Sequence, residues 1–316
     1  MDMRARVRLP DDWQQRVRDA LGDSPCPELA RGSLRVLGAG MDSVALQLDS
    51  IEGRYVLRLP RDPHGAEGIA REVGLLPELA ARLPLPIPQF LFTAPNPLGP
   101  GEFCVYPLVA GESLEEQAWV ARGVPARPDS ACIVAEVIEG IHSYPVDRAR
   151  EFGVEPADLR TEFTAALNEA RTLVFPLLEP SEAAILAQMW EGYLERDANF
   201  EYEPTLVHAD LSVDHLLVDG DRICGLIDFG DVEISDPGYD LCYLYPEVGA
   251  EFVRAVQHCR ARELDSALED KLRFWACADP ALELLEPIDG DEPQPRRESL
   301  RDLRAALHRH YPRSAG

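Results

Sequence analysis

The sequence predicts an α+β protein of two lobes, a small antiparallel sheet carrying one helix followed by a larger, mainly helical lobe. Three observations carry that expectation. Strand-like alternation runs through residues 33–60 and returns at 89–93 and 103–109. One helical repeat at about 66–83 separates those stretches, and beyond Gly111 the apolar spacing is helical almost throughout. A chain of 316 residues also fits two lobes better than one core, with the division at 1–108 and 109–316.

Each element follows from its own pattern. Trp13, Val17 and Leu21 share one face of a first helix. Residues 34–36 and 44–48 flank Gly38-Ala39-Gly40, and 55–59 follow a turn at Glu52-Gly53, which makes a three-strand meander. Ile69, Val73, Leu76, Leu79 and Ala80 fall at helical spacing, and prolines 84, 86 and 88 end that helix. A Pro/Gly loop at 95–101 joins the last two strands of the sheet, and Gly111 reads as the hinge. Helices are then expected at about 113–122, 129–142, 157–173, 181–198, 238–245, 248–262, 265–277 and 296–309. A hairpin interrupts them, with strands at 216–218 and 223–227 around Asp219-Gly220-Asp221. The Pro- and acid-rich link 286–295 reads as a surface loop.

Composition narrows the class of function. Hydrophobic residues at 46% place the chain among globular proteins. A formal charge of -25, from 56 acidic and 31 basic residues, argues against nucleic-acid binding and favours a polycationic ligand. A plainer reading of the charge stays open. Lys271 is the only lysine, Arg, Ala and Pro abound, and acidity can equally serve solubility. Seven scattered cysteines, odd in number and without Cys-x-x-Cys, read as reduced and mostly buried thiols. The N-terminal stretch lacks the apolar core of a signal peptide, and no run approaches the roughly 18 apolar residues of a membrane span. A cytoplasmic, soluble and monomeric protein is expected.

The chemistry concentrates in residues 207–240. There, His208-x-Asp210 is followed by His215 and then by Asp228 inside Leu226-Ile227-Asp228-Phe229-Gly230. Phosphoryl transfer needs a carboxylate to position a hydroxyl nucleophile and ligands for magnesium on the nucleotide phosphates. Asp210 suits the first task, His215 and Asp228 the second. Between apolar neighbours, a carboxylate such as Asp228 is costly to bury unless it is paired or binds metal.

Other segments join these: the glycine turn 38–43, Tyr55-Val56-Leu57-Arg58-Leu59-Pro60, Glu72 with Leu83-Pro84-Leu85-Pro86-Ile87-Pro88, and Ile141-His142-Ser143-Tyr144-Pro145. On all of them, in that order, the chain resembles the aminoglycoside phosphotransferase family, relatives of the protein kinases. It looks closest to the 2''-phosphotransferase branch, with macrolide 2'-phosphotransferases a near second. The resemblance covers almost the whole chain and implies a two-lobed protein-kinase-like fold, with residues 1–108 as the nucleotide-binding lobe.

It also implies roles. Asp210 would be the catalytic residue, and His215 and Asp228 would hold Mg2+. Arg58, in the place of the usual strand lysine, would align the phosphates of ATP or GTP with Glu72 as its partner. Ser43 would reach the phosphates, while Tyr106 and Leu108 would offer backbone groups to the base. A histidine at 215 in place of the protein-kinase asparagine is a feature of the antibiotic-kinase branches. For a cationic acceptor, the second lobe offers Asp231, Glu247, Glu251, Asp279, Glu283 and Glu286, with Trp275 and Tyr243 to stack on a sugar. His208, Asp236 and Asp240 read as braces of the loop. The expected activity is transfer of a γ-phosphoryl group to an aminoglycoside hydroxyl. A macrolide acceptor, or a nucleotide-binding module without transfer, are the alternatives.

Overall fold

The computed structural model of the chain describes residues 9–40, 42–285 and 294–311. Elements in the first third are α1 (Trp13–Gly22), β1 (Ser33–Ala39), β2 (Ser43–Ser50), β3 (Gly53–Pro60), α2 (Pro63–Leu79), β4 (Phe92–Pro95) and β5 (Glu102–Pro107). The middle of the chain forms α3 (Glu116–Ala121), α4 (Ser130–His142), α5 (Val146–Glu151), α6 (Leu159–Leu173), α7 (Pro180–Glu195) and β6 (Thr205–Val207). The remainder forms β7 (Leu216–Asp219), β8 (Arg222–Leu226), β9 (Glu233–Ser235), α8 (Leu244–Val248), α9 (Ala250–Cys259), α10 (Ser266–Glu283) and α11 (Gln294–His310). Of the expected surface link, residues 286–293, including Glu286, lie outside the described residues.

The chain folds as two compact units. One takes the described residues up to Ser113 together with Asp147–Val154 and His215–Val232; the other takes Leu114–Val146, Glu155–Asp214 and the described residues from Glu233 onward. Both later segments of the first unit are long-range additions that helical or strand spacing alone does not reveal.

In the first unit the sheet is antiparallel with strand order β1-β2-β3-β5-β4. Strand alternation sorts its side chains. Leu57, Leu59, Phe103 and Val105 join Val17 and Leu21 of α1 on one face, while Val56, Cys104 and Tyr106 join Ile69 of α2 on the other. Arg58 sits between Leu57 and Leu59, so the pleat turns it toward α2. That helix begins earlier than its apolar spacing suggests, because Asp62 accepts from the Gly65 amide at 2.8 Å and Pro63 fits the first helical position. It ends at Leu79, with Pro77 inside its last turn.

The β7–β8 hairpin belongs to this unit too. Glu112 and Val218 exchange backbone hydrogen bonds of 2.8 and 3.0 Å. Gly111, at φ 125°, is packed so closely that an added Cβ would lie 2.7 Å from Cys224 Sγ and 2.8 Å from Leu217 Cβ. Glycine is therefore required at this position both by conformation and by space.

The second unit is helical around an aromatic core. Phe163 and Phe274 rings lie 5.1 Å apart, Tyr193 stacks on Phe274 at 3.7 Å, and Trp190 Nε1 donates to the Phe163 carbonyl at 3.0 Å. Several expected boundaries shift here. The segment expected as helix 238–245 is a short 3-10 turn at Tyr239–Leu241 followed by α8, while α10 continues through Pro280 to Glu283. α5 and the β6–β9 pair escaped the sequence reading; each strand of that pair spans only three residues, too few to show a period.

The cysteine expectation is corrected. Cys132 on α4 and Cys259 at the end of α9 form a disulfide, Cα–Cα 5.2 Å, leaving Cys26, Cys104, Cys224, Cys242 and Cys277 as thiols. An odd count and wide spacing hid a pair separated by 127 residues, which only the packing of α4 against α9 brings together. A bridge closing so long a loop removes much denatured-state entropy. The double variant Cys132→Ala/Cys259→Ala is expected to lose about 2–4 kcal/mol of stability by denaturant titration. Thiol titration of unfolded, unreduced protein should find five reactive groups, with seven after reduction.

Candidate active site

The first unit assembles a charged cleft from β2, β3 and α2. Arg58 Nη1 donates to both carboxylate oxygens of Glu72, at 2.8 and 2.7 Å. The side chains are 14% and 1% exposed, so this is a buried ion pair and not a surface one. Burial opposes the charge on Arg58, but Glu72 and Asp228 outweigh it and hold the guanidinium above its ordinary value. Burial likewise pushes the Glu72 carboxyl up, with Arg58 pulling the other way. Two short hydrogen bonds and a group that keeps its proton at any ordinary pH leave the pair ionised.

Around this pair a shallow cleft is lined by Asp42, Ser43, His64, Gly65, Arg71 and Gly230. The turn before Ser43 is pinned by Arg61, whose amide donates to the Asp42 carbonyl at 2.8 Å and whose Nη1 donates to the Gly40 carbonyl at 3.0 Å. Gly65 is indispensable to that contact, since a Cβ there would fall 2.1 Å from the Asp42 carbonyl oxygen.

Asp228 follows β8 at φ 64°, a left-handed conformation unusual for a residue with a side chain. Its side chain is 47% exposed while Phe229 is fully buried. The burial cost expected from its apolar neighbours is thus not incurred: the backbone turns the carboxylate outward and sends the ring into the core. Asp228 Oδ1 lies 3.7 Å from Arg58 Nη2, and Oδ2 lies 3.6 Å from His215 Nε2. The His215 carbonyl accepts from the Ile227 amide at 3.1 Å, which holds the start of the hairpin beside its end. Arg71 Nη2 donates to the Gly230 carbonyl at 3.0 Å and fastens the following turn.

Such a pair of donors fits a metal that takes its remaining ligands from phosphates and water. Among the described residues no cluster of three or more His, Cys, Asp or Glu would hold a metal by itself. Asp231, exposed but set in a crowded recess, is raised by desolvation and by repulsion from Asp228 and Asp42. It stands in the first unit beside Asp228, Asp42, His215 and Arg58, and not among the acids of the second unit. Tyr106 packs its ring edge on Phe90 at 5.6 Å, and the Leu108 amide already donates to the Arg54 carbonyl at 2.9 Å.

The second unit holds Asp210. Pairing of β6 with β9 sets Leu206 opposite Ile234 and leads directly into His208, which is fully buried. Ala209, at φ 65°, donates its amide to Asp240 Oδ1 at 3.0 Å. Asp236 Oδ1 accepts from the Gly238 amide at 2.8 Å, and its Oδ2 takes Lys271 Nζ at 2.6 Å. These are the expected braces, with the only lysine of the chain committed to one of them.

Glu247 Oε2 accepts the Val213 amide at 3.0 Å. Burial raises its carboxyl to about 8; the Val213 hydrogen bond opposes this, and Asp214, Glu116 and Asp210 add to it. Asp210 also acts on Tyr243 and Cys242, as Asp279 does, so these acids share one end of the unit. Tyr243 donates to Asp279 Oδ1 at 3.0 Å, beside a small pocket lined by Tyr239, Cys242, Pro246, Trp275 and Leu282. Trp275 is corrected: it is 2% exposed with its ring edge-on to Tyr239, a core residue and not an open stacking platform. Glu251 and Glu283 are exposed and line no pocket described here.

A five-stranded antiparallel sheet with one such helix, joined to a helical unit, is the kinase-like fold, and the protein is a kinase-type phosphotransferase. A family model described as the phosphotransferase enzyme family matches residues 33–276, and the chain belongs to that family. The GDP and kanamycin complex of APH(2")-IIia is 26% identical, with a TM-score of 0.84, covering 93% of this chain and 99% of that one. An uncharacterized protein of Bacillus subtilis, YcbJ, is 25% identical over 224 residues, 67% of this chain and 69% of its own length. The macrolide 2'-phosphotransferase MphH from Brachybacterium faecium shares the fold at 22% identity, with a TM-score of 0.64 over 86% of this chain and 92% of that one.

Two outcomes follow from these geometries. Glu72→Ala leaves a buried guanidinium without its main partner and should cost about 3 kcal/mol in denaturant unfolding. For Glu247, a folded-state value above the ordinary 4.5 means that the native state holds the proton more tightly than the unfolded chain. Its contribution to stability therefore falls as pH rises from 4.5 through about 8, and Glu247→Gln should flatten the decline of Tm across that window.

Proposed function

We propose that the protein transfers the γ-phosphoryl group of ATP or GTP to a hydroxyl of an aminoglycoside. The observation that carries this reading is the acidic surround of Asp210, with Glu247, Asp214, Glu116 and Asp279 on the same unit. Such carboxylates suit a ligand bearing several ammonium groups, which would replace the proton on Glu247 and form charge-assisted hydrogen bonds. The likeness to a kanamycin-binding structure at 26% identity supports it.

In this reading Asp210 accepts a hydrogen bond from the acceptor hydroxyl and orients its oxygen for in-line attack. Arg58, held straight by Glu72, aligns the donor phosphates and takes up their charge, while Ser43 adds a hydroxyl donor at the same cleft. His215 and Asp228 would hold Mg2+, which when bound neutralises charge on the β- and γ-phosphate oxygens. Because the transition state is loose, the residues contribute mainly position and charge. The protein would act as a cytoplasmic monomer on small molecules.

A macrolide acceptor is the second reading. The likeness of fold to the macrolide 2'-phosphotransferase MphH supports it.

Incubation with Mg2+ and ATP or GTP is expected to add the mass of one phosphoryl group to kanamycin or gentamicin, and not to erythromycin. Phosphorylated erythromycin alone would transfer the assignment to macrolides. No product from any acceptor, with nucleotide still stabilising the fold, would reduce the protein to a nucleotide-binding module. Asp210→Asn should lower kcat by about a hundredfold or more while nucleotide affinity stays unchanged.

A further inference from the structure

A buried chain of hydrogen bonds runs from the backbone just ahead of Asp210 to the end of α9. Asp240, 1% exposed, receives the Ala209 amide on Oδ1 and His142 Nε2, at 2.9 Å, on Oδ2. The other ring nitrogen, Nδ1, faces Arg260 Nη2 at 3.0 Å. Arg260 is held in turn by Glu139, Nε to Oε1 at 2.7 Å, and by Gln257, Nη1 to Oε1 at 3.1 Å. Its side chain is 1% exposed.

A guanidinium can only donate. Nδ1 of His142 must therefore accept, the single ring proton sits on Nε2, and that proton goes to Asp240. The opposite tautomer would set two acceptors, Nε2 and Oδ2, against each other. A doubly protonated ring would turn an N–H toward the Arg260 guanidinium. One donor thus fixes the whole chain.

We infer that Arg260 is a positioning residue which, by enforcing the Nε2–H form of His142, locks Asp240 onto the Ala209 amide and so fixes the backbone carrying Asp210. The inference rests on the role proposed above for Asp210. The charged groups around the ring are Asp240, Arg260, Glu139 on its own helix, and Arg262, which lies 3.5 Å from Glu139. Local backbone supports the assignment. Ala261, directly after Arg260, takes φ 53°, and the Arg262 amide closes the helix end onto the Gln257 carbonyl at 2.9 Å. A left-handed helix cap at a non-glycine residue holds Arg260 at the last turn facing α4.

The test pairs a spectroscopic readout with kinetics. In the wild-type protein with a neutral ring, imidazole 15N shifts of His142 should report a protonated Nε2 and a bare Nδ1. In Arg260→Met, with the donor to Nδ1 gone, the 15N shifts should move toward a mixture of the two neutral tautomers. Turnover should fall about tenfold to a hundredfold with nucleotide KM within twofold. Arg260→Lys, which keeps a donor, should recover part of the rate. Glu139→Gln, at the outer and half-exposed end of the chain, should give a milder form of the same change should Arg260→Met fail to fold. A wild-type His142 with the proton on Nδ1, or an Arg260→Met enzyme with unaltered rate and unaltered 15N shifts, would overturn the inference. Absence of transferase activity in the wild type would instead overturn the proposed function, since the 15N readout requires no substrate.

Discussion

The contact on which the second unit's chemistry depends is that of the Asp240 carboxylate with the Ala209 amide. Asp240 lies almost wholly out of water, where an ionised carboxylate is costly unless its lone pairs are filled. It fills them with one backbone N–H and one imidazole N–H, and in doing so holds Ala209 at φ 65°. A left-handed conformation at a residue with a side chain costs on the order of 1–3 kcal/mol and survives only where the surroundings over-determine it. Here they do. The residue so strained immediately precedes Asp210, so the direction in which that carboxylate leaves the chain is set by a side chain thirty residues downstream.

The same economy appears in the first unit with different parts. Asp228 is also left-handed, and its carboxylate faces solvent while Phe229 anchors the turn in the core. Arg58 supplies the fixed charge beside it. A lysine in this position would be a compact point charge on a flexible stem. The arginine uses one nitrogen for both Glu72 oxygens and keeps another within 3.7 Å of Asp228, spanning the carboxylate of α2 and that of the hairpin end. Substituting arginine at this position therefore changes how the charge is held, and it makes Glu72 a structural necessity for a group that cannot shed its proton.

Much of this was legible in the sequence, and for identifiable reasons. The Arg58–Glu72 pair was legible through the family resemblance, which sets a strand cation against an acid of the following helix, and strand alternation then turns Arg58 toward α2. Asp210, His215 and Asp228 were legible through their order along one short segment. Other features depended on long-range packing that spacing does not encode. Cys132 meets Cys259, and His142 meets Asp240 and Arg260, only because α4 lies along α9 in the folded second unit. Trp275 misled for the opposite reason: an aromatic residue at helical spacing beside acids looks the same whether it faces a ligand or the core, and Tyr239 settles it inward. Asp228 misled through its apolar neighbours, because the positive φ that turns it outward leaves no trace in composition.

Charge sets the last constraint. A chain of formal charge -25 repels a nucleoside triphosphate and attracts polycations at long range. Beyond a Debye length of about 8 Å at physiological salt, that field is largely screened, whereas groups inside a cleft are not. On the proposed function the cleft around Ser43 would need cations of its own, and Arg58 and Arg71 stand there to supply them. Both are already tethered, Arg58 to Glu72 and Arg71 to the Gly230 carbonyl, so their geometry is fixed before any phosphate arrives. On the second unit no such correction is needed. The acids about Glu247 act in the same sense as the global field, and their crowding holds a proton that, in the proposed function, an ammonium group would displace. In the proposed reaction the donor would be recognised against the protein's overall charge and the acceptor along with it, which would give the excess of acid a chemical use beyond solubility.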